Sequence, residues 1–237
     1  MPRPVNEVER EATTQAIKQV ARRLMAEKGA AGLSVRAIAR ELGMTAPALY
    51  HYFANLDALI TALIVDAFNA LADALEDARD TVAVADQSAA RQMWAATMAY
   101  RQYALDYPTD FQLIYGSPIP GYKAPGEVTI PASSRTLIVF AGLIQAMVAT
   151  GEMTIPDHYT RPPTPIAEHL HALQDEGGYD LTLEVAYATF SAWPRIHGIV
   201  MLELFQHIGP VIGDVDTFYT HQMRTLFAEM GVDMTAL

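Results

Sequence analysis

Few residues in this sequence have the types and spacing that chemistry demands. Glu203 and His207 stand four apart near a helix end and could share a metal ion. Two ligands are too few, and a salt-bridged surface pair is the expected reading. Glu168, His169 and His171 also cluster, but side chains two apart diverge on a helix. There is no glycine-rich phosphate loop, no nucleophile elbow and no acid–base pair, so neither a cofactor nor a metal is expected. The chemistry that remains is recognition. Ser34 to Phe53, SVRAIARELGMTAPALYHYF, has two hydroxyls at helix-capping positions (Ser34 and Thr45), a glycine turn between them at Gly43, and Arg36 in its first half. That is the grammar of a helix pair that reads duplex DNA, yet its second helix carries no Lys or Arg.

The elements that must position these residues are almost all helical. Ile17, Val20, Ala21, Leu24 and Met25 share one face of Glu11–Lys28, and Gly29 stops that helix. Ser34 caps a short helix to Leu42, and Gly43 is free to take the left-handed turn. Thr45 caps a third helix with Pro47 in its first turn. Asn55 caps a long fourth, where Leu59, Ile60, Leu63, Ala67, Phe68, Leu71 and Leu75 repeat at helical spacing toward Asp80. VAVADQS is a break, and Ser88 opens a helix through Tyr107. Pro108 opens a short one over TDFQLIYG. SPIPGYKAPGEVTIP reads as loop, Ser133–Thr150 as an apolar helix and GEMTIPDHYTRPPTP as a second loop. A short helix over IAEHLHAL follows, then Asp180–Ile208 and Asp216–Met230. No period-two strand pattern survives. The expected fold is all-α, with about nine to ten helices: a three-helix head over residues 1–55 and a larger helical bundle over 56–237.

Charge divides the chain at the same place. Residues 1–55 hold 8 Lys/Arg against 5 Glu, for +3, while the rest hold 8 against 22, for −14. A basic head on an acidic body aims a protein at nucleic acid and repels it elsewhere. With no cysteine there are no disulfides and no thiolate metal sites, as suits a reducing cytoplasm. The opening MPRPVNEVEREATTQ lacks an apolar core, so no secretory signal is expected. The most apolar run, Thr136–Gly151, is short for a membrane span and is interrupted by Gln145. The expected setting is cytoplasmic, with no membrane.

SVRAIARELGMTAPALYHYFANLDALI closely resembles the N-terminal motif of tetracycline-repressor-type (TetR) transcriptional regulators. The shared elements are Ser34, Ile38, Ala39, Gly43, Leu49, Tyr50, Tyr52, Phe53, Asn55, Asp57 and Leu59, within roughly residues 10–65. Farther along, Trp193, His197 and Gly198 in SAWPRIHGIVMLELFQHI resemble the Trp-x-x-x-His-Gly signature of one class of TetR ligand-binding domains. YPTDFQLIYG resembles a second segment of that class.

The resemblance implies a dimer on a palindromic double-stranded operator, probing DNA with few cations on the reading helix. Phosphate contacts would come from caps such as Ser34 and Thr45, from backbone N–H groups, and from Tyr50, His51 and Tyr52. Arg36 suits a phosphate or a guanine edge, and Ala46, Pro47 and Ala48 offer apolar surface to thymine methyls. Arg3 and Arg10 would add charge from an N-terminal arm. Leu56 stands where the family often has Lys or Arg, which implies fewer phosphate contacts.

The C-terminal domain is expected to bind an unknown small-molecule effector. Trp94, Met98, Tyr103, Phe111, Tyr115, Phe140, Met147, Phe190, Trp193 and His197 form an aromatic, Met-rich set suited to an adaptable pocket or to a generous core. The effector would release the DNA, with the fourth helix as lever. The homodimer is expected through the last two long helices. In the first of them, Phe190, Trp193, His197, Met201 and Leu204 would face the interior, and Ala192, Ile196, Ile199 and Glu203 a partner. In the last, Tyr219, Met223, Leu226, Phe227 and Met230 have seam-like spacing. Pro194 implies a kink. Gly198 costs about 1 kcal/mol against Ala in a helix interior, so a neighbouring element should approach it closely. Control by a protein partner, or a helical enzyme, are the alternatives.

Overall fold

The computed structural model describes residues 7–178 and 180–237. Arg3, assigned above to a DNA-contacting arm, lies outside them. The described residues form twelve α-helices and no strand, the all-α class expected from periodicity. The helices are α1 (Glu7–Lys28), α2 (Val35–Glu41), α3 (Ala46–Leu49), α4 (Leu56–Ala85), α5 (Ala89–Asp106), α6 (Pro108–Tyr115), α7 (Gly126–Thr150), α8 (Asp157–Thr160), α9 (Thr164–Gly177), α10 (Leu183–Leu204), α11 (Gly209–Ile212) and α12 (Val215–Glu229). The two beyond the expected count, α8 and α11, are single turns inside segments too rich in Pro and Gly to show a helical period.

Packing groups these helices into two units. The first holds residues 1–70 together with 107–133, and the second 71–106 with 134–237. The division at 55/56 concerns which residues read DNA; the compact units are drawn elsewhere. The first unit is built on Ile17, Ala21, Leu24, Ile38, Leu49, Leu59 and Leu63, all buried. Leu113, Ile114, Tyr115, Ile119, Tyr122 and Ala132 join the same core from a distant part of the sequence. The Tyr122 hydroxyl pairs with Thr61 Oγ1 at 2.9 Å.

One expected loop is partly helix. Residues 126–131, GEVTIP, are the opening turns of α7, with Pro131 inside the helix. The Pro125 carbonyl accepts from Val128 and Thr129 and so nucleates the turn. Pro131 is tolerated because only the Glu127 carbonyl loses a donor. Likewise α4 runs on to Ala85, through VAVA, where a break was expected. By length and composition α4 and α7 could each cross a bilayer, a test that the buried core helix of a soluble protein passes too.

The second unit packs α5, α8, α9 and α12 against α10. Its terminal turns are zipped together by Glu152. The carboxylate accepts from the Ala89 and Ala90 N–H groups at the start of α5 and from the Ser88 and Thr150 hydroxyls. These donors hold its pKa down against the cost of burial.

Candidate nucleic-acid interface and effector region

The head's geometry follows from its caps. Ser34 Oγ accepts from Ala37 N–H at 3.2 Å and starts α2. At the other end Gly43 takes φ 62°, its N–H bonding to the Arg40 carbonyl while that of Met44 reaches back to Ala39. This pair of bonds is the Schellman ending, and it turns the chain directly into α3. Thr45 Oγ1 accepts from Ala48 N–H at 3.3 Å, leaving its own hydroxyl proton for an outside acceptor. After Leu49 the backbone tightens through His51 and Tyr52 to Phe53, and Asn55 Oδ1 caps α4 at 2.7 Å.

Burial then sorts the side chains. Ile38, Ala39, Leu49 and Phe53 are core. Ser34, Arg36, Thr45, Pro47, Tyr50 and His51 are exposed, and Ala46, Ala48 and Tyr52 are half-buried. Tyr50 is half-exposed, so it is available to a ligand rather than locked in the core. Among the described residues, the head's cations divide into two groups. Lys18, Arg22 and Arg23 are paired with Asp66, Asp110 and Glu41. Arg10, Lys28, Arg36 and Arg40 make no ion pair there, so their charge faces solvent.

The paired group is what sequence reasoning missed. Arg22 bridges Asp66 of α4 and Asp110 of α6, and Lys18 shares Asp66 at 2.9 Å. Burial pushes the Asp110 carboxyl up, and Arg22 pulls against that. Partners 44 to 88 positions apart leave no local signal in a sequence.

The ten expected effector residues do not form one set. Phe111 and Tyr115 belong to the first unit, where their rings lie 5.1 Å apart and Tyr115 meets Phe68 edge-on. In the second unit Phe140, Trp193 and His197 are linked through Tyr100, which was not singled out as a site residue. Tyr100 lies 6.1 Å from Phe140, its hydroxyl is 2.8 Å from His197 Nδ1, and Trp193 stacks on His197 at 5.1 Å. Burial lowers the His197 pKa. Trp94 meets Phe227 edge-on and lies under Arg224. Tyr103 and Met147 are buried in the core, and Met98 is half-buried. Phe190 is 41% exposed. A hollow of about 400 Å³ on α12, lined by Asp216, Thr217, Thr220, His221 and Arg224, includes none of the ten.

Several expectations for α10 and α12 are corrected. Ala192 and Ile196, expected to face a partner, are buried inside their own chain, whereas Phe190 of the supposed interior stripe faces out. The cause is size: Ala188 and Ala192 let neighbouring helices pack close to that side of α10. Tyr219, Met223, Leu226, Phe227 and Met230 of the expected seam are buried within the subunit. Glu203 pairs with Arg101 in two short bonds, not with His207, and Arg101 also reaches Asp216 and lies over the Tyr219 ring. A Cβ at Gly198 would meet nothing within 4 Å, so among the described residues no neighbouring element makes the close approach expected there.

Comparison with known proteins bears on both regions. Residues 17–63 match the family model described as bacterial regulatory proteins, tetR family, and residues 93–226 match that of the tetracyclin repressor-like C-terminal domain. The HTH-type transcriptional regulator Rv1816 of Mycobacterium tuberculosis is 36% identical over 220 residues, 92% of each chain. Mb1846 of Mycobacterium bovis matches to the same extent. Among solved structures, the regulatory protein SCO4313 superposes with a TM-score of 0.77 at 30% identity, covering 96% of this chain and 100% of that one. RolR, solved in complex with resorcinol, shares the fold at 17% identity and a TM-score of 0.55, over 98% and 94% of the two chains.

Proposed function

This chain belongs to the tetR family of bacterial regulatory proteins and is a DNA-binding transcriptional regulator, and from that premise we propose that it acts as a repressor, seated as a homodimer on a palindromic operator and released by a small molecule. The observation that carries the reading is the surface of the head. Arg36, Thr45, Tyr50 and His51 are exposed together on α2, α3 and the turn after it, and Arg36 has no acidic neighbour to satisfy it among the described residues. Thr45, Tyr50, His51 and Tyr52 hold phosphates, with Ser34 fixing the helix that carries Arg36; Arg36 reaches a phosphate or a guanine edge, and Ala46, Pro47 and Ala48 lie against thymine methyls. The reading region is 1–55 and the regulatory region 56–237, in the cytoplasm where the DNA is.

We propose the effector site around Tyr100, Phe140, Trp193 and His197, where a hydroxyl and an imidazole stand among apolar rings, a reading supported by the resemblance to the Trp-x-x-x-His-Gly class. That RolR holds resorcinol gives a precedent for a small ligand on this fold. Binding would favour a conformer with mis-spaced heads, weakening operator affinity by about 1–3 kcal/mol. The test is selection of bound sequences from random DNA. An enriched inverted repeat with half-sites one helical turn or more apart is the expected result. No preference for any inverted repeat, even at low ionic strength, overturns the reading.

A further inference from the structure

Most arginines of the second unit are held by carboxylates: Arg79, Arg91, Arg101, Arg135 and Arg195 each sit in an ion pair. Arg161 and Arg224 have no such partner among the described residues, although acidic side chains outnumber Lys and Arg by 27 to 16. Arg161 is exposed on the turn after α8. Arg224 of α12 is instead seated over the Trp94 ring of α5, 5.2 Å from its centroid. Trp94 is fixed in turn by Phe227, edge-on at 5.6 Å. A guanidinium over an aromatic face is held in place without using its N–H donors.

The same cation borders the hollow of about 400 Å³ on α12, together with Asp216, Thr217, Thr220 and His221. These residues recur at spacings of three and four, so they share one face of the helix. Thr220 is half-buried, and its hydroxyl makes no hydrogen bond among the described residues. A helical threonine commonly turns back to the carbonyl four residues earlier, as Thr13, Thr81 and Thr225 do. Thr220 does not, which leaves its hydroxyl for something outside the helix. The His221 ring is likewise without a hydrogen-bond partner among the described residues. Asp216 is already engaged, its carboxylate 2.5 Å from Arg101. It also lies two turns from Arg224, about 12 Å along the axis.

We propose that this hollow binds a small molecule bearing an oxyanion group, a carboxylate or a phosphate. Arg224 offers the forked pair of N–H donors that both groups accept in bidentate fashion. Thr220 and His221 add a hydroxyl and an imidazole N–H beside it. The volume lies within the range of small-molecule sites. Charge favours the same answer. With −11 overall, the chain repels anions over most of its surface, and an arginine without a carboxylate is where that repulsion is offset. A metal cation does not suit the hollow, because its single lining carboxylate, Asp216, is bonded to Arg101. None of the lining residues belongs to the effector position proposed around Tyr100 and His197, and neither reading depends on the other.

Calorimetric titration of the full chain with inorganic phosphate and, separately, with benzoate tests the site, each probe against chloride at equal ionic strength. Saturable binding of at least one probe, with a Kd of about 1 mM or tighter, is expected. Phosphate alone identifies a phosphate-bearing ligand, benzoate alone a carboxylate-bearing one, and both together the oxyanion group itself. Arg224→Gln should weaken binding about 10-fold or more, since it removes a charge-assisted pair. Thr220→Val should weaken it about 3-fold. Arg161→Gln removes the same charge away from the hollow and should leave the affinity at the wild-type value, with melting temperatures showing that all three variants fold. Binding that survives Arg224→Gln and Thr220→Val, or that falls equally in Arg161→Gln, overturns the site. Failure of both probes to saturate by about 10 mM does so too, and leaves the DNA-binding and effector readings standing.

Discussion

At the scale of single residues, recognition rests on how few cations are free. Arg36 and Arg40 are the exposed cations of α2, and in the proposed reading the loss of Arg36 removes either a phosphate contact or a base contact. Arg36→Ala should cost about 1–3 kcal/mol of operator binding if it reads a base, with selectivity relaxed at that position. If it holds a phosphate, affinity falls evenly across sequences and the salt slope drops by about 1 per subunit. Competition binding against single-base operator variants separates the two. His197 carries a different consequence. Burial disfavours its charged form, so the folded chain binds the proton more weakly than the unfolded chain does. The stability it contributes is thus complete above the unfolded value of about 6.5 and is lost as pH falls below it. Melting curves at pH 7.5 and 5.5 should show a larger acid loss for the wild type than for His197→Gln; equal losses would remove His197 as the cause.

At the scale of elements, local chemistry was legible and long-range pairing was not. Ser34, Gly43, Thr45 and Asn55 cap or turn where their side chains and position say they should, because a cap is decided within four residues. The start of α7 was hidden by Pro131 and Gly126, whose usual meaning is loop. Which face of α10 is inward was misjudged because hydrophobic spacing marks an apolar helix on all sides, and the small residues that permit close packing decide it. Two substitutions test these points. Gly43→Ala meets no steric neighbour, so its cost is that of a left-handed backbone alone, about 1–2 kcal/mol by denaturant titration. Arg101→Met leaves the Glu203 carboxylate in a poorly solvated place without its two bonds, a loss of about 3 kcal/mol or more. Adding Glu203→Met should restore part of it, whereas a further loss would show that the pair was not the source.

At the scale of the whole molecule, the reading head and the folding unit are different objects. The proposed DNA-reading surface lies within residues 34–52, but the core beneath it is completed from 107–133. Leu113, Ile114, Tyr115, Ile119 and Tyr122 supply apolar area, Asp110 neutralises Arg22, and the Tyr122 hydroxyl meets Thr61. None of this exists in a fragment ending at Ala70. Such a fragment would also leave Phe68 without Tyr115 and would bury too small a share of its surface, since domains of about 60 residues are marginal even when self-contained. Residues 1–70 alone should therefore show weak helical circular dichroism, no cooperative thermal transition and rapid proteolysis. A fusion that joins 1–70 to 107–133 through a flexible linker should regain a transition, because it restores the apolar partners and the Arg22–Asp110 pair together. Cooperative unfolding of 1–70 by itself would mean that the distant segment contributes little, and that α1 to α3 with the start of α4 carry their own core.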